Sequence, residues 1–294
     1  MTAVDQGAEL PAVEPVEAAP QAPARERIYR HALPTRIGHW VNVLCIFILL
    51  FSGLQILNAH PRLYWGQYGA NHEQPWIAFE TYLTPDHQPV GVTRIGSWRF
   101  NTTGFLGASD FNGHRVGRGL PAWLTFPNTR DLATGRNYHF FFAWLLVING
   151  LIFLIISFHS RHIQRDLSLK REELKPKHLL ADIIAHAKLH VPRGEESKRY
   201  NTLQKIAYLS VIFGLIPLMV LTGLTMSPGV DAAIPGLLDI FGGRQSARSI
   251  HFIVAMGVVA FVGVHLFEIF LVGAWNEIRS MITGWYDVKP EKPE

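Results

Sequence analysis

The chain has 294 residues, of which 48% are hydrophobic and 17% are charged, and its formal charge is +4 at pH 7. The single cysteine, Cys45, excludes a disulfide framework, cysteine-ligated iron–sulfur clusters and the CxxCH motif. Lysine and arginine lie mostly beside apolar runs rather than in a module of basic and aromatic residues. The positive charge therefore indicates membrane topology rather than nucleic-acid binding.

Apolar residues cluster into four runs, each long enough to cross about 30 Å of bilayer hydrocarbon as a helix. The runs are 37–57, 138–158, 206–226 and 250–272. They predict an all-α membrane protein, a bundle of four transmembrane helices, with a domain over 28–286.

The two ends of the chain are predicted to be tails. Residues 1–27 lack the basic start and apolar core of a secretory signal, and we expect a disordered cytoplasmic tail. Residues 287–294 are predicted to form a second, short tail. No internal repeat is evident in the sequence.

Basic residues predict which side of the membrane each connection occupies. Four arginines precede the first run within 25–36, and residues 161–199 contain ten lysines or arginines. By the positive-inside rule, both termini and the loop 159–203 lie in the cytoplasm, and the loop 59–134 lies in the periplasm. The sequence thus predicts a multi-pass protein of the bacterial inner membrane.

Three local features are predicted between and within the runs. The long loop 59–134 is rich in tryptophan and glycine, and we expect it to fold, with a small hairpin in VGVTRIGSWRF. Pro176–Leu189 is predicted to form an amphipathic helix on the inner membrane surface. Gly214 and Pro217 are predicted to bend the third helix.

The last run carries two histidines, His251 and His265, fourteen residues apart. On a helix this spacing is about 21 Å along the axis and within about 40° of the same face. His39 begins the first run at the inner side, and His139 begins the second run at the outer side. Because imidazoles at membrane depth need partners, we predict two depth-matched pairs, His39–His265 and His139–His251. Each pair would hold the iron of one haem b.

Arginine and glycine side chains fit the same hypothesis. Arg36, Arg136 and Arg248 each stand three residues before a predicted ligand, where a guanidinium could hold a haem propionate. Simple snorkelling at the membrane edge is the alternative. Gly53, fourteen residues after His39, or Gly150 would leave room for a flat macrocycle, although ordinary helix packing explains a membrane glycine equally well.

Other polar residues have less specific interpretations. His159 could compete with His39 for the inner iron or line a proton or quinone path. Glu268 could accept a proton or simply face water. Asn201, Gln204 and Lys205 could contribute to a quinone site or form an ordinary helix entry. The histidines of the two loops are predicted to be surface or packing residues: His60, His72, His87, His114, His178, His186 and His190.

The histidine pattern resembles the prokaryotic four-helix dihaem cytochrome b subunits that anchor formate dehydrogenase-N and nickel–iron hydrogenases. The matching positions are His39 in RIGHW, His139 in RNYHF, and His251 and His265 on the last run. The segments SGLQILNAHPRLYWG, TGLTMSPG and ITGWY are most similar to the thiosulfate-reductase-type branch. The resemblance covers about residues 28–286.

The resemblance implies an electron-transfer subunit of an oxidoreductase complex. It implies two haem b groups, an exchangeable membrane quinone or quinol, and a periplasmic molybdopterin oxidoreductase as partner. The alternatives are a stand-alone superoxide:quinone oxidoreductase and a non-redox membrane anchor or transporter. The sequence leaves the direction of electron flow and the formation of a homodimer open.

Overall fold

The computed structural model describes residues 26–69, 72–188 and 200–288. The α-helices in these ranges are α1 (Leu33–Ala59), α2 (Leu132–His159), α3 (Pro176–Ala187), α4 (Thr202–Ser210), α5 (Ile216–Thr225), α6 (Pro228–Ala233), α7 (Gly236–Ile240) and α8 (Arg244–Thr283). The strands are β1 (Arg27–Tyr29), β2 (Arg62–Leu63), β3 (Ile77–Leu83), β4 (Pro89–Ile95), β5 (Trp98–Asn101), β6 (Ala108–Phe111), β7 (His114–Gly117) and β8 (Trp285–Asp287).

Four helical segments are long and apolar enough to cross a membrane, which confirms the predicted fold class. They are α1, α2, the third crossing Thr202–Thr225, and α8. Between 6% and 22% of the residues in their apolar windows are buried within the chain. Such exposed apolar surface is stable in lipid and not in water.

Local capping explains where three of the crossings begin. Pro34 occupies the first turn of α1, where its missing N–H leaves no helical hydrogen bond unmade. The Asp131 carboxylate accepts a hydrogen bond from Thr134 N at 3.0 Å and starts α2 before the predicted run. Asn201 and Gln204 form a reciprocal capping box at the start of α4.

The crossings pack as two helical hairpins. In the first hairpin, Asn149 on α2 donates from Nδ2 to Gly38 O at 2.9 Å and to Asn42 Oδ1 at 2.7 Å, both on α1. In the second, α5 packs along α8, and the added Cβ of a residue at Gly257 would lie 3.7 Å from Leu215. These contacts place polar amides and small residues between helices, as is usual within membranes.

The third crossing is irregular where the sequence predicts a bend. A π-helical turn, Val211–Leu215, contains Gly214 and precedes Pro217 in α5. Proline cannot donate the helical hydrogen bond to the preceding turn, and such turns accommodate the missing bond.

The helix α8 contains a break at Gly273, whose φ of 126° and ψ of 89° are not helical. The positive φ is accessible to glycine without a Cβ clash. Residues 244–272 form the membrane crossing, and residues 274–283 continue as a separate helical segment. The single predicted run 250–272 therefore lies inside a longer, broken helix.

The loop between α1 and α2 folds into a domain that we call the outer domain. The words outer and inner refer to the membrane sides predicted from the sequence. Strands β2, β3, β4 and β5 form an antiparallel sheet in that order, and β6 pairs with β7. The predicted hairpin is present as β4 and β5, with Ile95 paired to Trp98. Leu57 of α1 packs with Leu63, Phe79 and Leu120 in a shared core, which joins the outer domain to the first hairpin.

The outer domain also caps the N-terminus of α8. Gly243 provides no side-chain cap. The backbone N–H groups of Gln245 and Ser246 both donate to Gly66 O at 3.1 Å. Trp76 Nε1 donates to Ser249 Oγ at 2.9 Å. Loop groups therefore satisfy the donors that a helix start leaves free.

At the opposite end, β1 pairs with β8, with Arg27 opposite Asp287. The sequence places these two residues in tails, but the strand pairing brings both into the folded part. Arg279 also contacts Asp287 at 2.6 Å, and Arg30 contacts Glu277 at 3.6 Å. The remaining tail residues, 1–25 and 289–294, lie outside the described residues.

The inner loop contains the predicted amphipathic helix as α3. Its exposed apolar residues Leu180, Ile183 and Ile184 follow helical spacing. Leu189, His190 and the rest of the basic block to residue 199 lie outside the described residues. Contact of α3 with the membrane surface stays a prediction.

Arg118 joins the outer domain to α1. Its side chain is 5% exposed and donates to Asn128 O at 2.7 Å, Gln55 Oε1 at 3.1 Å and Thr125 Oγ1 at 2.6 Å. Gln55 in turn donates to Thr129 O at 2.7 Å. A buried charge is tolerated here because several acceptors surround it.

We expect Arg118→Met to destabilise the outer domain by about 3 kcal/mol, because it leaves buried acceptors without donors. Limited proteolysis should cut the loop 59–134 of this variant faster than that of the parent. Arg115→Met is the matched control, since Arg115 forms an exposed ion pair with Asp110 at 3.1 Å, worth less than about 1 kcal/mol. Equal cleavage of both variants would contradict the structural role of Arg118.

Candidate functional site

The four histidines predicted as ligands lie in two pairs between the hairpins. The ring centres of His39 and His265 are 6.5 Å apart, with an interplanar angle of 60°. The ring centres of His139 and His251 are 6.3 Å apart, with an angle of 62°. Each pair takes one ring from the first hairpin and one from α8. The structure thus brings together the pairs expected from depth.

The spacing within each pair suits two imidazoles that share one metal ion. With metal–nitrogen bonds of about 2.0 Å and ring centres about 1.2 Å behind each nitrogen, the two centres would lie about 6.4 Å apart. Both observed separations agree with this value.

The donor set favours haem over a bare metal ion. Among the residues that the structure describes, no group of three or more His, Cys, Asp or Glu side chains could hold a metal. Zinc sites normally use at least three protein ligands, whereas the iron of haem requires only axial ligands from the protein. Two isolated pairs of imidazoles therefore fit two haems.

Hydroxyl groups contact both rings of the outer pair, His139 and His251. Ser52 Oγ of α1 lies 3.1 Å from His139 Nδ1, and Thr222 Oγ1 of α5 lies 3.0 Å from His251 Nδ1. Both hydroxyl residues are fully buried. Each ring is thus positioned by the other helix of its own hairpin.

A glycine follows each hydroxyl residue and leaves space for the ring. A Cβ at Gly53 would lie 3.2 Å from His139 Cε1, and a Cβ at Gly223 would lie 3.4 Å from His251 Cε1. Gly53 therefore contacts an imidazole, and its predicted role beside a macrocycle stays a prediction. Gly150, the alternative small residue, has open space around it.

The inner pair, His39 and His265, has a different environment. His39 Nδ1 is buried and has no hydrogen-bond partner in the described part of the chain. His265 stacks on Phe261 with ring centres 5.9 Å apart and an angle of 6°. Trp40 packs edge-on against His39 at 5.3 Å. Aromatic packing, rather than hydroxyl contacts, surrounds these two rings.

The three arginines predicted as propionate ligands hold other groups of the protein. Arg36 Nη1 donates to Ile282 O, while Arg36 Nε is buried without a partner among the described residues. Arg248 donates to the carbonyls of His60 and Arg62. Arg136 lies 5.5 Å over the Phe140 ring. A guanidinium has five N–H donors, so these contacts leave donors available for a carboxylate.

The remaining candidates have ordinary structural surroundings. His159 is exposed at the end of α2, whereas His39 faces His265. Asn201 and Gln204 cap α4, and Lys205 Nζ contacts Glu173 Oε1 at 2.8 Å. These contacts are those of an ordinary helix entry, and a role in a quinone site stays a prediction.

Burial and hydrogen bonds shift the pKa of three groups that lie outside the membrane-spanning segments at the inner end. Burial, helped by the nearby Arg30 charge, lowers the pKa of His31 to about 4. His31 is therefore neutral at pH 7. Burial raises the pKa of Tyr200, and hydrogen bonds from Arg165 hold the pKa of Asp166 below its usual range. Asp166 also contacts His162 Nδ1 at 2.7 Å.

Comparison with known proteins agrees with these findings. A sequence profile of the family described as "Prokaryotic cytochrome b561" matches residues 30–284. The chain belongs to this family. The family binds haem b. Together with the four apolar helices, the match makes this chain a multi-pass bacterial membrane protein of the cytochrome b561 type. The match confirms the resemblance to the four-helix cytochromes b, whereas the number of haems stays a prediction.

Two curated relatives cover most of this cytochrome b561-type chain. A protein of Azospira oryzae named "Putative protein-methionine-sulfoxide reductase subunit YedZ1" is 29% identical over 249 residues, which cover 85% of this chain and 93% of the relative. A protein of Escherichia coli K12 named "Putative cytochrome YdhU" is 25% identical over 264 residues, which cover 89% of this chain and 75% of the relative. No solved structure matches the chain significantly.

Sequence reasoning missed Ser52, Thr222 and Gly223. A hydroxyl or glycine in a membrane helix usually indicates helix packing, and nothing near these residues in the sequence points to an imidazole. One signal was present, because the tripeptides Ser-Gly-Leu at 52–54 and Thr-Gly-Leu at 222–224 occur near the outer ends of the first and third crossings.

We expect Gly53→Val to displace the His139 ring, because its Cβ alone would approach within 3.2 Å and its methyl groups come closer. The purified variant should contain less haem than the parent. Gly150→Val is the control, since a Cβ there meets nothing within 4 Å. Equal loss of haem in both variants would show that the effect is general helix disruption.

Proposed function

We propose that this chain is a dihaem b-type cytochrome that carries electrons across the inner membrane between the quinone pool and a periplasmic oxidoreductase. The observation that carries the proposal is the presence of two imidazole pairs, with two rings fourteen residues apart on α8. On one helix this spacing separates the two sites by about 21 Å along the helix axis. Two such sites make a path from one side to the other.

The residues have distinct tasks in this proposal. His139 and His251 hold the outer haem, and His39 and His265 hold the inner one. Arg36, Arg136 and Arg248 hold propionates at the two membrane surfaces. Bound haem supplies reversible one-electron chemistry at iron. Two imidazoles on each iron would leave no open position for oxygen or substrate, which favours electron transfer over oxygen activation.

The orientation follows from the basic residues. We propose that both termini lie in the cytoplasm and that the outer domain lies in the periplasm. Support comes from the positive charges of the first 36 residues and of the loop 159–203. The His139–His251 pair would then lie near the periplasm.

The periplasmic partner is proposed to be an oxidoreductase, with molybdopterin as its cofactor. The outer domain carries exposed aromatic residues, including Tyr68, Trp98 and Trp123, and aromatic residues are enriched at protein interfaces. The name of the Azospira oryzae relative as a reductase subunit supports a reductase partner. The resemblance to the thiosulfate-reductase-type branch supports molybdopterin.

The quinone is proposed to bind beside the inner pair. A groove of about 540 Å³ lies between α1 and the end of α8, one turn from His39. We call it the inner groove, and it is lined by Leu33, Arg36, Ile37, Trp40, Val41, Leu44, Met281 and Ile282. Its apolar walls suit a quinone tail, and Arg36 lines the groove with a guanidinium that has five N–H donors.

Histidine variants test the number and position of the haems. The parent should show a reduced-minus-oxidised spectrum of b type with two haems per chain. His139→Ala should lose the outer haem and His39→Ala the inner one, because each iron loses an axial ligand, and each variant should keep one midpoint potential of the parent. Redox titration of purified protein makes the measurement, and His159→Ala is the control that should retain both haems.

Each other result contradicts a stated part of the proposal. A parent without a b-type spectrum would favour the anchor or transporter. Loss of the same haem in both variants would contradict the pairing. Oxidation of superoxide by the isolated chain, without a co-purifying oxidoreductase, would favour the stand-alone enzyme.

Filling the inner groove tests the quinone site. We expect Ile37→Trp to raise the KM for quinol-dependent haem reduction about tenfold, equivalent to about 1.4 kcal/mol of binding, with unchanged haem content. Stopped-flow absorbance in proteoliposomes measures it. Ile152→Trp is the control on the exposed face of α2. An unchanged KM in Ile37→Trp would contradict a quinone in this groove.

A further inference from the structure

We infer that Ser52 and Thr222 act as positioning residues that fix the tautomer of both outer imidazoles, so that Nδ1 carries the proton and Nε2 keeps its lone pair for iron. The inference rests on the proposed dihaem function and deepens it. It assigns a task to two buried hydroxyls that neither bind haem directly nor belong to the predicted ligand set.

The first step concerns the hydroxyl protons. Ser52 Oγ donates to Ile48 O at 2.6 Å, and Thr222 Oγ1 donates to Leu218 O at 2.7 Å. Both acceptors are carbonyls of the preceding turn, a common contact for hydroxyls in membrane helices. A hydroxyl has one hydrogen, so each hydroxyl has no second hydrogen to give to an imidazole.

The second step concerns the imidazoles. His139 Nδ1 and His251 Nδ1 lie within hydrogen-bond distance of the two hydroxyl oxygens, at 3.1 and 3.0 Å, and the hydrogens of these hydroxyls are already engaged with carbonyls. The backbone carbonyls of Leu49 and Met219 are further acceptors beside the two rings. Both nitrogens must therefore donate. A neutral imidazole has only one N–H, and metals bind neutral imidazole. The remaining nitrogen, Nε2, is then the one with a lone pair available for iron.

The third step is that the device occurs twice. Each hydroxyl residue is followed by the glycine that leaves room for the same ring, Gly53 or Gly223. One copy lies in each helical hairpin, on the crossing that precedes the histidine. Ser52 and Thr222 are both 0% exposed, so water does not compete for the contact.

The inner pair provides the contrast. His39 Nδ1 has no partner in the described ranges, and no hydroxyl contact to His265 is present there. A donor bond from Nδ1–H raises the basicity of a ligating imidazole. The more basic ligand stabilises oxidised iron, so the hydroxyls lower the midpoint potential of the outer haem relative to the same site without them.

Redox titration and low-temperature EPR of purified holoprotein test the inference with Ser52→Ala and Thr222→Val. In each variant we expect the midpoint potential of the outer haem to rise by about 59 mV, a tenfold change in a one-electron equilibrium. The midpoint potential of the inner haem should stay unchanged. The low-spin EPR signal of the outer haem should shift, since the imidazole that has lost its hydroxyl contact is free to rotate. The outer haem is assigned by its absence in His139→Ala.

Three further variants separate positioning from general packing. Ser52→Thr and Thr222→Ser keep the hydroxyl and should restore the parent potentials. Thr225→Val is the matched control: Thr225 Oγ1 donates to Thr222 O at 2.7 Å, one turn from the hydroxyl in question. Ser52→Ala or Thr222→Val could lose the outer haem altogether. Recovery of the outer haem in Ser52→Thr or Thr222→Ser then supports the inference. Loss of the outer haem in Thr225→Val as well contradicts it.

The outcomes distinguish this inference from the proposed function. Two haems in the parent with unmoved midpoints in both hydroxyl variants would overturn the inference and leave the dihaem function intact. A parent without two haems would overturn the proposed function and the inference together. A rise in the inner midpoint alone would also overturn the inference.

Discussion

The arrangement of the outer pair depends on one constraint, which is that an imidazole nitrogen at membrane depth is costly without a partner. An unsatisfied polar group in hydrocarbon costs several kcal/mol. The outer rings, His139 and His251, satisfy Nδ1 through hydroxyls of their own hairpins. The other nitrogen of each ring is then available to a group bound between the hairpins. A group bound there would join two hairpins that otherwise pack mainly within themselves, and its binding energy would add to the stability of the bundle.

The outer domain contributes to the same site from outside the membrane. It closes the N-terminus of α8 through Gly66 O, which accepts from Gln245 N and Ser246 N. Because His251 lies less than two turns further along this helix, the loop sets its height relative to His139. The large loop therefore has a structural task in aligning the outer pair. A partner docked on this domain would lie at the end of the bundle that carries the outer pair.

Much of this arrangement could be predicted from the sequence. Long apolar runs dictate membrane crossings, and the depth of a histidine within a run follows from helical rise. The starts of the helices were less predictable, because caps such as Asp131 lie in polar sequence before the run. The break at Gly273 was missed, since hydropathy does not register a single residue with positive φ.

The hydroxyl contacts were beyond sequence reasoning for a different reason. Ser52 lies 87 positions from the ring it contacts, and Thr222 lies 29 positions from its ring. Which face of α1 or α5 meets the next helix depends on packing, not on local periodicity. The similar tripeptides at 52–54 and 222–224 are too short to be recognised as an internal repeat. Its significance follows only from the rings that occupy the same place in both hairpins.

The inner pair reaches its spacing by another route, which begins at Gly273. Residues 274–283, about 15 Å of helix beyond the break, contact α1. Arg36 donates to the carbonyl of Ile282, and Trp40 Nε1 donates to Met281 O at 3.1 Å. Arg36 lies one turn from His39, so this contact holds the inner ends of α1 and α8 together. The outer pair is thus fixed ring by ring, whereas the inner pair is fixed through the helices that carry it.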